Sequence, residues 1–183
     1  EKPTINTDLV EAYADNLLQK SILDAAPKIN EAELKKNPAN TLETIQKYLQ
    51  DFEKIWKANV APLEKELDIT VTALQEQDYS DLPELEKNIL AYQKTIDEIK
   101  KLSFTAYLRD FHVKIINFLY QIKLSAELMK GAEKDPLKAM LAIKDRLDLN
   151  KKLDLFLQEF QEKITKDLKN FENTLKEAGF PKL

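Results

Sequence analysis

The side chain with the widest chemical repertoire in this 183-residue chain is His112, because it is the only histidine. An imidazole serves as general base, metal ligand or axial haem ligand. A single one sets tight limits. Helical bundles that hold two iron or manganese ions take a Glu-x-x-His pair from each of two helices, and here the residue three before His112 is Arg109. A one-histidine metal site would need several carboxylates on one inward face, whereas their spacing places them on the polar faces. Axial ligation of a haem by His112 with Met129 or Met140 meets a geometric objection. In a hairpin turning between Gly131 and Asp135, His112 lies opposite a position near 154, while both methionines fall close to the turn. The expectation is packed methionines and a histidine that is hydrogen-bonded or at the surface, with no metal and no cofactor.

Other chemistries find no foothold. There is no cysteine, which removes thiolate catalysis, Cys-ligated zinc and disulfides. Ser103 and Ser125 fall inside helical patterns and no G-x-S-x-G turn presents a nucleophile. With 32 acidic residues, any pair of carboxylates can be chosen, so none is singled out as a glycosidase pair. The only glycines, Gly131 and Gly179, suit helix C-termini and leave no phosphate-binding loop. No catalytic, cofactor-binding or metal-ligating residue is therefore assigned.

Charge narrows the partners. The formal net charge of −4 gives no basic field for nucleic acid, and only Arg109 and Arg146 among 28 basic residues are arginine. The densest apolar stretch, residues 111–124, is interrupted by His112, Lys114, Asn117, Gln121 and Lys123, so the sequence contains no transmembrane segment. Its apolar residues nevertheless cover more of a helix than one stripe requires. They belong either to a centrally packed helix or to an exposed partner surface. Tyr48, Phe52 and Trp56 form a second aromatic group, expected in the core.

The elements that would position these residues are helical. Two glycines, a high charge content and apolar residues three or four apart favour long helices over sheets. Residues 1–6 read as an extended tail. Asn6 or Thr7 then caps a helix carrying Leu9, Tyr13, Leu17 and Ile22 or Leu23, broken at Pro27, with a short helical piece over 30–36. From Asn40, the stripe Leu42, Ile45, Leu49, Phe52, Trp56, Leu63, Leu67, Leu74 predicts one helix, kinked rather than stopped by Pro62.

Asp81, Pro83 and Glu84 form a capping-box signature that opens a helix over 82–130, roughly 70 Å long if continuous through Ser103. Asp135 and Pro136 start the last helix, with stripe residues Met140, Ile143, Leu147, Leu153, Leu157, Phe160, Ile164, Leu168, Phe171 and Leu175. A local break is expected at residues 148–150, Asp-Leu-Asn, and an end at Gly179.

The predicted fold is all-α: one domain over 1–183, an elongated antiparallel bundle of three long helices plus a shorter, broken N-terminal helix, four-helix-bundle-like. The functional expectation is a non-enzymatic protein acting in protein interaction or as a structural spacer. Because the chain opens on Glu1, the expectation extends to an extracytoplasmic or lipid-anchored bacterial protein, in the periplasm, cell envelope or secreted. Two alternatives stand beside it: a carrier holding an apolar ligand or lipid between helices near Trp56 and residues 111–122, and a membrane-active helical protein.

Overall fold

The computed structural model describes residues 21–60 and 65–177, and for 171–177 the backbone only. Five α-helices follow one another: α1 (Leu42–Asn59), α2 (Glu66–Glu76), α3 (Leu85–Ile99), α4 (Arg109–Lys130) and α5 (Pro136–Glu177). Among the described residues the only extended pairing is an isolated parallel bridge, Lys36 with Phe104. The chain divides into two compact units, Glu1–Leu147 and Asp148–Leu183. The expected tail, the Asn6 or Thr7 cap, the stripe Leu9, Tyr13, Leu17, the stop at Gly179 and the side chains of Phe171 and Leu175 lie outside the described residues.

In the first unit the predicted short N-terminal helix gives way, from Ser21 onward, to a strap laid along α4. Pro27 and Pro38 deny the segment a continuous ladder of backbone bonds, so its polar groups are met by other elements. Ser21 Oγ and the Ile22 amide both donate to Asp145 Oδ2, at 2.8 and 2.7 Å. Further on, the Ile29 amide donates to Asn117 Oδ1 at 2.9 Å, and Glu31 takes a two-pronged contact from Arg109 at 2.8 and 2.9 Å. Lys35 and Asn37 then pair with Phe104. Only two short 3₁₀ turns, Ile22–Ala25 and Glu31–Glu33, interrupt this course, where a helix over 30–36 was expected.

Thr41, rather than Asn40, caps α1 and completes a reciprocal box with Thr44. The expected kinked continuation is instead a stop: α1 ends at Asn59 and α2 begins at Glu66, and Pro62 itself lies outside the described residues. The buried Asn59 amide donates to Glu98 Oε2 at 2.7 Å, which fixes the end of α1 on α3. Gln77, at φ 56°, turns the chain out of α2 in the left-handed region. The Asp81 capping box does not form; a 3₁₀ turn, Leu82–Glu84, leads into α3 without a side-chain cap.

The expected helix over 82–130 is two helices. It breaks between Lys100 and Thr105, where Ser103, Phe104 and Thr105 are weak helix formers and Phe104 gains more by entering the core. The Phe104 amide donates to Lys35 O at 3.1 Å, and its carbonyl accepts from Asn37 N at 2.8 Å. Those bonds replace the helical ones that the break removes. The ion pair of Glu86, at the start of α3, with Lys130, at the end of α4, shows that the two helices run antiparallel.

Helix α4 is the centre of this unit. Phe111, His112, Ile115, Ile116, Leu119, Ile122, Ser125, Ala126 and Met129 are all buried, and its fully exposed positions are Arg109, Asp110, Lys114, Glu127 and Lys130. Of the apolar residues in 111–124, Phe111, Ile115, Ile116, Leu119 and Ile122 are core, and Val113, Phe118, Tyr120 and Leu124 are half-buried.

Asp135 Oδ1 accepts from the Lys138 amide at 3.0 Å and opens α5 as expected. Gly131 closes α4 at φ −81°, so it serves there without using the left-handed region. The predicted break at 148–150 is absent; burial of Leu149 and Leu153 outweighs the few tenths of a kcal/mol that Asp and Asn cost in a helix.

The α5 stripe also needs correction. Met140 and Leu147 are exposed, while Ala139 and Ala142 are fully buried in a cluster with Ala73, Leu82, Leu85, Met129 and Ala132. Alanines let the backbone of α5 approach closely enough for its next polar residues to reach the interior. Ala142→Leu should therefore lower stability by about 1–3 kcal/mol through overpacking, read from urea unfolding. A neutral or stabilising result would show a void where the structure has none.

Candidate functional site

Three features of the first unit carry polar or exposed chemistry. The first is a buried polar cluster that ties four helices together. Arg146, on α5, donates through Nη1 to Ser125 Oγ at 2.8 Å and to Ile122 O at 3.1 Å, both on α4. Its Nη2 donates to the Tyr92 hydroxyl at 3.2 Å, and its guanidinium lies 5.7 Å from the centre of that ring on α3. Glu66, at the first turn of α2, balances the charge, with Oε2 3.3 Å from Arg146 Nη1 and Oε1 accepting from Asn88 Nδ2 at 3.1 Å.

All of these side chains are buried, Asn88 and Ser125 completely. Burial raises the Tyr92 phenol well above its usual range, opposed by the Arg146 charge and reinforced by Glu66. The phenol therefore stays protonated and can only donate or accept hydrogen bonds. With its members shut away from solvent, the cluster orients helices and offers no surface to a substrate.

The second feature surrounds His112. The imidazole is fully buried, with Nδ1 2.7 Å from the Tyr48 hydroxyl and its face on Phe104, ring centres 4.5 Å apart and 21° from parallel. Nε2 has no hydrogen-bond partner. Burial lowers the imidazole pKa from 6.5 to about 4 and raises the Tyr48 phenol. Tyr48, Phe52 and Trp56 stack in series along α1 with Phe111 edge-on to the first two, but Phe52 and Trp56 are only half-buried.

The third feature is exposed. Leu137, Met140 and Leu147 project from α5 into solvent, at 67%, 58% and 47% exposure. A helix that buries alanine and shows leucine has reversed the usual amphipathic order.

These placements answer the chemical questions raised by the sequence. His112 and Met129 are both in the core, whereas Met140 is exposed, so no shared axial site joins the histidine to that methionine. Among the described residues no group of three or more His, Asp or Glu is arranged to hold a metal ion, and no helix is long and apolar enough to cross a membrane. Not every carboxylate follows a polar face: Glu66 and Asp145 are buried because each meets donors from another element. Arg146 was visible as one of only two arginines, and that rarity was its one signal.

No protein-family model, no curated protein and no solved structure matches this chain.

Proposed function

We propose that this is a non-enzymatic helical-bundle protein that acts by binding another protein, with the exposed face of α5 around Leu137, Met140 and Leu147 as its contact surface. The reversed amphipathicity of that helix carries the reading. Leaving three large apolar side chains in water forgoes on the order of 1.5–3 kcal/mol each, relative to full burial. Scattered singly, such residues need no explanation, but these recur at spacings of three and seven along one side of one helix. Covering them with an apolar partner surface would recover that free energy.

Support for catalysis is thin, because the polar clusters are sealed. Support for an apolar-ligand carrier is also weaker, since five of the apolar residues of α4 that such a ligand would use, Phe111, Ile115, Ile116, Leu119 and Ile122, are already buried in the core.

The decisive comparison is between the wild-type protein and a Leu137→Ser, Met140→Ser, Leu147→Ser variant, each purified from its native source and weighed by native and denaturing mass spectrometry. Wild-type protein should retain extra protein mass under native conditions only, and the variant should lose it while keeping its unfolding midpoint, surface changes costing within about 0.5 kcal/mol each. A bare wild-type monomer, or a variant that keeps its partner, overturns the assignment. Mass that survives denaturation would mark a covalent group such as the lipid anchor of an envelope protein.

A further inference from the structure

His112 stands where three otherwise separate pieces meet. Tyr48 reaches it from α1, Phe104 covers it from the connector between α3 and α4, and Lys35 and Asn37 of the strap pair with the Phe104 backbone. The strap and connector here consist of an isolated bridge and 3₁₀ turns, the kind of structure that opens before helices do.

We propose that His112 is an acid-operated latch: the neutral imidazole holds Phe104 and the strap closed, and its protonation releases them while the α3–α4 hairpin stays folded.

The charges around the ring support this. Among the described residues Tyr48 is the hydrogen-bond partner of the ring, and burial keeps that phenol neutral. Along α4, Arg109 is committed to Glu31, and Asp110 and Lys114 are exposed. On the strap Lys35 and Lys36 are exposed, and in the connector Lys100 pairs with Glu33. Among the described residues no carboxylate is hydrogen-bonded to the imidazole to balance a proton. An imidazolium here would have one acceptor at most, the Tyr48 oxygen, and a second N–H with none. Displacing Phe104 is a route to water, since its ring covers one face of the imidazole and its backbone is joined to the strap by two hydrogen bonds.

The direction follows from the lowered pKa. The open form, with an ordinary imidazole, binds a proton below pH 6.5, and the closed form does so only below about 4. The closed state is therefore fully favoured above about pH 6.5, weakens as pH falls through the interval and changes no further below it. The whole span is worth roughly 300-fold in the open population, and about 70-fold between pH 7.5 and 4.5.

Hydrogen exchange followed by NMR on the full chain tests it. Protection factors of the Phe104 and Asn37 amides, corrected for intrinsic rates, should fall about 70-fold between pH 7.5 and 4.5, while that of Ile96 in α3 stays constant. The lone histidine makes its ring signals unambiguous, and they should remain those of a neutral imidazole at pH 5.5. In His112→Gln or His112→Phe the two amides should lose their pH dependence. The proposal is overturned by constant protection in wild type, by an equal loss at Ile96, by an imidazole titrating near 6.5, or by the same pH response in either variant. The first three outcomes need only wild-type protein.

Discussion

Arg146→Met is expected to lower the free energy of unfolding by about 3–5 kcal/mol. The guanidinium makes four contacts at once, with Ile122 O, Ser125, Tyr92 and Glu66. Methionine fills much of the volume, so the loss is electrostatic rather than a cavity. It strands the Glu66 carboxylate in a buried site without its charged partner, facing only the neutral groups of Asn88 and Tyr92. Stranding a buried charge costs more than the original pair contributed, because the desolvation of Glu66 is then uncompensated. Glu66→Gln in the Arg146→Met background should recover part of the loss, whereas Glu66→Gln alone should destabilise. Urea denaturation of the four proteins closes this cycle. A loss below about 1 kcal/mol in Arg146→Met would mean that water already reaches Glu66.

The same cluster shows where periodicity stops being informative. Apolar spacing located helix from Leu42, from Leu85 and from Pro136 correctly, because an amphipathic stripe is a local property that any neighbour can satisfy. What interrupts a helix depends on distant partners. The sequence leaves open whether the helix runs through Ser103; the Phe104 backbone is drawn out of it by Lys35 and Asn37, nearly seventy residues earlier in the chain. Conversely, Asp148 and Asn150 looked like breakers and are carried through, because the alternative would expose Leu149 and Leu153.

Side-chain burial on α5 was the least legible. Hydrophobic spacing favoured Met140 and Leu147 as inward positions, but Ala139, Ala142, Asp145 and Arg146 occupy the inward face. An arginine reads as surface until its acceptors are known, and those acceptors come from α3, α4 and the first turn of α2. The exposed leucine face, which carries the functional proposal, is the complement of that error. The sequence left His112 either hydrogen-bonded or at the surface; its full burial and the identity of Tyr48 as its partner required the fold.

Phe104→Ala should show how much of the structure depends on the break between α3 and α4, with an expected loss of about 3–5 kcal/mol. The ring is 1% exposed and lies against His112. Its backbone bonds to Lys35 and Asn37 need no side chain, so they remain available in the variant, and any loosening of the strap must come from lost packing. Phe104→Leu keeps most of the volume and gives up only the stacking, so it should cost less than half as much. The two substitutions also separate packing from solvation at the imidazole. Truncation to alanine uncovers the face of the imidazole, and the His112 pKa should climb from about 4 back toward 6.5, whereas leucine should hold it low. Equal pKa values in both variants would show that the depth of α4 in the core keeps the histidine neutral, and that the Phe104 ring contributes only to stability.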